Sequence, residues 1–131
     1  MVKAAAKVKK KKNIKLPVGV LHVHTSFNNT IVTLTDPQGN KISGGGTGLM
    51  WFKGTKQSTP YAAENLTRGL IKDAKENFGL KEIGIVAKWL GMGREWAFKG
   101  INDVGGIDIT YIKEATGIQF GGCKRKRPKR N

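Results

Sequence analysis

Residues 18–35, VGVLHVHTSFNNTIVTLT, decide the fold because two strand patterns flank a short polar turn. Apolar and polar residues alternate from Val18 to His24, and residues 30–35 form a second run that is rich in β-branched side chains. The connection, residues 26–29, ends in two asparagines, which tolerate positive φ and bond their own backbone. This stretch therefore predicts an antiparallel hairpin.

Outward from the hairpin, the chain adds one more strand and then alternates helices with strands. Thr59 suits a helix N-cap, Pro60 suits the first helical position, and apolar residues recur every four positions. The later elements are a strand over 41–43, a glycine-rich loop over 44–57, a helix over 60–78, a strand over 82–88, a helix over about 94–104 and a strand from 107 that ends near 115. This order predicts an α/β fold with a mixed sheet of about five strands, the first three antiparallel and the later ones parallel, and two packed helices.

The charge is concentrated at the two ends of the chain. The 131 residues carry 24 Lys and Arg against nine Asp and Glu, a net charge of +15. Residues 1–16 hold seven lysines and no acid, and residues 121–131 hold six Lys and Arg and no acid. We expect a basic N-terminal extension over 1–16, a globular domain over 17–115 and a basic C-terminal tail over 116–131. Such ends indicate a polyanionic partner, because each Lys or Arg that reaches a phosphate releases counterions.

Several classes of function find no support in the residues. The chain has no apolar run long enough for a membrane span and no secretory signal pattern, and Cys123 has no second cysteine to pair with. The loop over 44–54 lacks the spacing of a nucleotide-binding motif, so contact with phosphate there would be general. His22 and His24 share a strand face without an apparent third ligand. We expect no metal, no other cofactor and no small-molecule substrate.

Two other activities fit the same composition and stay open at this stage. A nuclease would need clustered carboxylates to hold metal ions, and Asp36 and Asp108 lie near strands, although the other acids are scattered. A free nucleic-acid-condensing protein would also be basic at both ends. The run over 124–130 resembles a nuclear import signal or a patch for anionic lipid as well, since charge alone does not separate these.

Five aromatic residues beside apolar neighbours are predicted to belong to the core, and stacking on RNA bases is considered only for Trp51. These residues are Trp51, Phe52, Trp89, Trp96 and Phe98.

Three quoted segments together resemble the universal S-eleven family of small-subunit ribosomal proteins, of the bacterial type. They are GVLHVHTSFNNTIV at 19–32, FKGTK at 52–56 and STPYAA at 58–63. The element GMGRE at 91–95 and the Gly122-Cys123 pair with basic residues beyond it fit more loosely. The resemblance covers residues 18 to about 127.

The resemblance implies a ribonuclease-H-like domain without catalysis, so the protein is not expected to be an enzyme. It implies a structural role on the platform of the small subunit, near the mRNA exit path, with small-subunit rRNA and neighbouring platform proteins as partners and no membrane. A cytoplasmic ribosome is expected, with a mitochondrial or plastid ribosome as the alternative.

The predicted rRNA-binding residues combine family-matched positions with the cationic ends. The family-matched positions are Asn28, Asn29, Lys53, Gly54, Lys56, Ser58, Thr59 and Arg94. The ends contribute Lys9, Lys10, Lys11, Lys12, Lys124, Arg125, Lys126, Arg127, Lys129 and Arg130.

The chain departs from the usual family pattern at four places. The family usually has Gly at Trp51, a basic residue at Gln57, Lys-Gly-Pro-Gly at 88–91 and Pro-His-Asn-Gly before Cys123. RNA contacts at these places, and the path of the tail, are expected to differ.

Overall fold

The computed structural model describes residues 15–50 and 59–131, with only the backbone described at residues 49 and 50. Some residues predicted to bind rRNA, and two of the predicted core aromatics, lie outside the described residues. These are Lys9, Lys10, Lys11, Lys12, Lys53, Gly54, Lys56 and Ser58, with Trp51 and Phe52.

The described elements follow the predicted order. They are β1 (Val18–Thr25), β2 (Thr30–Thr35), β3 (Lys41–Gly46), a 3-10 helix (Thr47–Met50), α1 (Pro60–Phe78), β4 (Glu82–Lys88), α2 (Gly93–Val104) and β5 (Asp108–Glu114).

All five strands form one mixed sheet with the order β3-β2-β1-β4-β5. The β1–β2 and β2–β3 pairs are antiparallel, whereas β1–β4 and β4–β5 are parallel. The predicted α/β fold, with three antiparallel strands followed by parallel ones and two helices, is therefore confirmed. The parallel strands β1, β4 and β5 all end on the same side of the sheet, which we call the carboxyl edge.

The third strand is longer than the sequence suggested. The glycine-rich loop was predicted to begin at Gly44, but Gly44, Gly45 and Gly46 continue β3 and pair with Thr33, Val32 and Ile31. A Cβ on Gly44 would lie 2.8 Å from the carbonyl oxygen of Val32. Glycine therefore permits a close strand approach here, and its low strand propensity concealed the strand.

Helix α1 begins and ends where its capping residues predict. The Thr59 side chain accepts a hydrogen bond from the backbone N–H of Ala62 at 3.4 Å, and Pro60 occupies the first turn. Gly79 ends the helix with φ 66° and ψ 36°, a left-handed conformation that glycine adopts without a Cβ penalty. Of the predicted apolar stripe, Phe78 is only partly buried. Its other members are buried: Ala62, Leu66, Leu70 and Ala74.

The core lies between one face of the sheet and the two helices. In β1, Leu21 and Val23 are buried, whereas His22 and His24 point to the opposite face and are exposed. The same alternation places Ile83 and Ile85 of β4 in the core at 0% exposure. The helices contribute Leu66, Leu70, Ile71, Ala74, Ala97 and Ile101.

The chain enters the core just before β1. Leu16 is 5% exposed, packs in the core, and donates its backbone N–H to the carbonyl of Phe78 at 2.9 Å. The carbonyl of Pro17 accepts from the backbone N–H groups of Lys81 and Glu82, at 3.0 Å each. Leu16 thus packs with the globule, one residue before the Pro17 at which the sequence pattern places the start of the globular domain.

Candidate nucleic-acid interface

The β1–β2 turn, residues 25–30, forms the first part of the carboxyl edge. The backbone N–H of Ser26 donates to the carbonyl of Asn29 at 2.9 Å, and the backbone N–H of Asn29 donates to the Ser26 hydroxyl at 3.1 Å. Among the described non-glycine residues only Trp89 has positive φ, so the asparagines do not make this turn through the left-handed region. The turn itself is confirmed, and local side-chain hydrogen bonds stabilise it.

Asn28 and Asn29, both predicted to bind rRNA, are placed differently within that turn. Asn28 is exposed and available to a partner. The Asn29 side-chain oxygen accepts from the backbone N–H of Thr30 at 2.8 Å and from the hydroxyl of Thr47 at 2.5 Å. Asn29 therefore joins the turn to the segment that follows β3, a structural role that its sequence position did not reveal.

The β4–α2 connection, residues 89–92, packs against the turn and completes the edge. The Thr25 hydroxyl donates to the carbonyl of Trp89 at 3.0 Å, while the backbone N–H of Trp89 donates to the Thr116 hydroxyl at 3.0 Å. A Cβ on Gly91 would lie 2.9 Å from the carbonyl oxygen of Ser26. The connection is therefore held on both sides, by β1 and by the chain that follows β5.

The start of α2 is pressed between the hairpin and α1. A Cβ on Gly93 would lie 2.2 Å from the Thr30 hydroxyl oxygen and 3.0 Å from the Ala63 Cβ. Both helices therefore begin beside the β1–β2 turn, and the N–H groups of their first turns lie at this edge of the sheet. The arrangement places the predicted residues Asn28, Asn29, Thr59 and Arg94 at the same end of the sheet.

Besides Asn29, two more of these residues make contacts within the protein. Thr59 caps α1, as described above. Arg94 forms an ion pair with Glu114, and its side chain is only 19% exposed. Glu114 also accepts from the Thr116 hydroxyl. Arg94 therefore neutralises the acidic side chain at the end of β5, which would otherwise repel phosphate at this edge.

The C-terminal tail leaves the sheet at the carboxyl edge. The backbone N–H of Ala115 donates to the carbonyl of Ala87 at 2.8 Å, and residues 117–131 that follow are all exposed and have no helix or strand. Gly121 and Gly122 adopt positive φ values of 85° and 64°. The six predicted rRNA-binding residues of the tail are therefore accessible. They are Lys124, Arg125, Lys126, Arg127, Lys129 and Arg130.

The prediction that the described aromatic residues belong to the core is wrong for the two tryptophans. Trp89 is 45% exposed at the carboxyl edge and Trp96 is 38% exposed on α2, where its ring lies 4.5 Å from the Lys99 ammonium. Phe98 is partly buried and packs against the core. Phe27 and Leu90, also exposed at the edge, were not predicted to be functional, because isolated apolar letters in loops give no signal of exposure.

The carboxylates of the alternative nuclease interpretation do not meet. Asp36 follows β2 and Asp108 begins β5, so strands β1 and β4 lie between them, a separation of roughly 14 Å by strand spacing. Hydrogen bonds from Asn40, at 2.8 Å from its backbone N–H and 3.0 Å from its side chain, lower the pKa of Asp36 and hold it in a turn. Both acids lie at the opposite end of the sheet from the carboxyl edge.

The described ranges hold neither a metal site nor a membrane span. Residues 15–50 and 59–131 contain no group of three or more His, Cys, Asp and Glu side chains arranged to hold a metal ion. Within the same ranges, neither helix combines the length and the apolar character needed to cross a bilayer.

Comparison with known proteins gives a consistent result along almost the whole chain. A small ribosomal subunit protein uS11 from Lawsonia intracellularis is 43% identical over 128 residues, 98% of this chain and 96% of the relative. Proteins of the same name from Campylobacter hominis and Coprothermobacter proteolyticus are 40% and 39% identical, and cover 97% and 95% of this chain and 98% of each relative. Residues 19–130 match the family described as Ribosomal protein S11, and the chain belongs to that family.

Proposed function

We propose that this protein is a structural, non-enzymatic constituent of the small ribosomal subunit that binds small-subunit rRNA. Family membership supports the ribosomal role, and relatives named as small-subunit proteins support the choice of subunit. The observation that carries the rRNA contact is the exposed tail, in which residues 117–131 include six Lys and Arg and no acid. Such a segment binds phosphates without reading sequence.

The carboxyl edge supports the proposal because it places the tail beside exposed polar groups. Asn28 is exposed on the turn, and the adjacent acid Glu114 is paired with Arg94. The Arg94–Glu114 ion pair reduces the repulsion between this edge and RNA, since RNA carries one charge per phosphate. Two further sets of residues remain proposed rRNA contacts. The lysines at 9–12 are proposed from their charge, and Lys53, Gly54, Lys56 and Ser58 from their match to the family pattern.

We further propose the platform of the subunit, near the mRNA exit path and beside other platform proteins, as the location. Bacterial relatives across nearly the full length support a cytoplasmic ribosome. Cys123 is the only cysteine and is exposed at the base of the basic run, so it can carry an iron chelate that cleaves nearby RNA. Reconstituted subunits should be cleaved in platform rRNA. Cleavage confined to other regions would contradict this location.

The contribution of the tail can be measured separately from its location. Removing residues 124–131 should weaken binding to small-subunit rRNA and reduce the slope of log affinity against log salt concentration by roughly 0.7–0.9 for each phosphate that the shortened chain no longer reaches. Filter binding across a salt series measures both quantities. An unchanged slope would mean that the tail touches no phosphate. Retention of the full-length protein on small subunits through a high-salt wash would separate a ribosomal constituent from a free condensing protein.

A further inference from the structure

An exposed apolar groove at the carboxyl edge is not explained by contact with phosphates. It has a volume of about 490 Å³ and lies between Phe27 on the β1–β2 turn and Trp89 and Leu90 on the β4–α2 connection. Phe27 is 89% exposed, Leu90 is 74% exposed and Trp89 is 45% exposed. Large apolar side chains gathered at one exposed site commonly mark a binding surface.

The backbone at Trp89 indicates that the indole is there for a reason other than stability. Its φ of 64° lies in the left-handed region, which is unfavourable for a residue with a Cβ and costs glycine almost nothing. The Trp89 side chain is 45% exposed, so burial in the core does not offset the cost of this backbone conformation. An unfavourable conformation that nevertheless holds a large exposed aromatic residue suggests a contact with a partner.

The two hydrogen bonds of the Trp89 backbone, from Thr25 and to Thr116, fix the segment that carries the indole. A ring whose backbone is already ordered loses little entropy when a flat partner stacks on it. The backbone of the groove is thus preorganised for binding.

The charges around the groove favour RNA as the occupant. Among the residues that the structure describes, no carboxylate lines it, and the nearby Glu114 is paired with Arg94. The Lys88 ammonium lies 6.0 Å from the centre of the Trp89 ring, where it could contact the phosphate of a nucleotide whose base sits in the groove. The volume is in the range of about 300–1,000 Å³ that accommodates one small molecule.

We propose that this groove binds one unpaired RNA base, which stacks on Trp89 beside Phe27 while Lys88 contacts its phosphate. The inference rests on the proposed rRNA binding and adds a contact that depends on bases to contacts that depend on charge. Aromatic side chains bind exposed bases in this manner with little sequence preference.

The test compares two strands of equal charge on four full-length proteins. The strands are an eight-residue oligouridylate and an eight-residue abasic chain with the same phosphates. The proteins are the wild type, Trp89→Gly, Phe27→Ala and the control Trp96→Ala, which removes an exposed indole outside the groove. Trp89→Gly should fold, because φ of 64° suits glycine, and Phe27→Ala changes a side chain that is 89% exposed.

The wild type and Trp96→Ala should bind oligouridylate more tightly than the abasic chain, by about 5- to 150-fold for one stacked base. Trp89→Gly should lose most of that preference and Phe27→Ala part of it, with the salt slope unchanged. The indole N–H resonance of Trp89 should shift only with the strand that carries bases.

Two results would overturn the inference in distinguishable ways. Equal, salt-dependent binding of both strands by the wild type, or a base preference that survives Trp89→Gly, would exclude base stacking and leave the phosphate contacts intact. Failure of the wild type to bind either strand or small-subunit rRNA at any salt concentration would reject the proposed function together with the groove.

Discussion

Replacing Gly93 with alanine is expected to loosen the junction at which the hairpin and both helices meet. The new Cβ would lie 2.2 Å from the Thr30 hydroxyl oxygen, 3.2 Å from the Thr30 Cβ and 3.0 Å from the Ala63 Cβ. Rotating the Thr30 hydroxyl away does not solve the contact, because its Cβ is also close and the residue is only 1% exposed. The start of α2 must therefore move.

Crowding of this kind in a packed interior costs about 1–3 kcal/mol of the free energy of unfolding. A domain with about 100 ordered residues loses roughly 5 °C of Tm for each kcal/mol, so the expected decrease is about 5–15 °C. Thermal unfolding followed by circular dichroism measures it. Gly117→Ala is the matched control, because no described atom lies within 4 Å of its Cβ position and that glycine is exposed, so its Tm should stay near that of the wild type.

A second substitution tests the cause of the decrease. Thr30→Ala removes the hydroxyl oxygen, which is the atom closest to the new Cβ, so the double variant should be more stable than the sum of the two single effects by about 0.5–3 kcal/mol. If Gly93→Ala melts with the wild type, or if the two substitutions are additive, the packing argument for this junction is refuted.

Two further predictions concern side-chain hydrogen bonds. Asn29→Ala removes the oxygen that accepts from Thr30 and Thr47, and it should lower the free energy of unfolding, measured by urea titration, by about 1–3 kcal/mol. Asn29→Asp retains an acceptor and should be destabilised less. Equal decreases for the two variants would contradict this role of Asn29. The hydrogen bond from Arg68 at 2.8 Å lowers the pKa of Asp103 below its usual value of 3.8. The contribution of this hydrogen bond to stability is therefore present above pH 3.8 and is lost as the pH falls through the lower pKa of the folded state. Asp103→Asn should therefore lower the Tm slightly at pH 7, and the difference from the wild type should shrink below pH 4; a difference that grows in acid would contradict the assignment.

The sheet and helices were predictable because their signals are local. Alternation in β1, β-branched residues in β2 and the capping pair Thr59 and Gly79 each specify an element within a few residues. The extension of β3 through Gly44–Gly46 was not predictable, because the requirement for glycine comes from a neighbouring strand. Family membership was predictable from the segments at 19–32 and 58–63.

The candidate interface was predictable in its charge but not in its apolar part. The positive charge of residues 124–130 is visible in the sequence as a run of lysines and arginines. Trp89 was predicted to be buried because of its apolar neighbours, and its exposure depends on the left-handed backbone and on hydrogen bonds to Thr25 and Thr116. Thr47 and Glu114, the partners of Asn29 and Arg94, likewise come from elements distant in sequence. The motif match therefore indicated where Asn29 and Arg94 lie, but not which residues they contact.

The anchoring of the chain at Leu16 and Ala115 has a geometric consequence for the proposed binding of RNA. Leu16 is fixed at the beginning of β1, beside Phe78, while Ala115 is fixed at the far end of β4, beside Ala87. A strand of seven residues is about 23 Å long, so the origins of the two cationic segments are separated by roughly that length. In the proposed complex, the two cationic segments therefore approach the nucleic acid from opposite ends of the sheet.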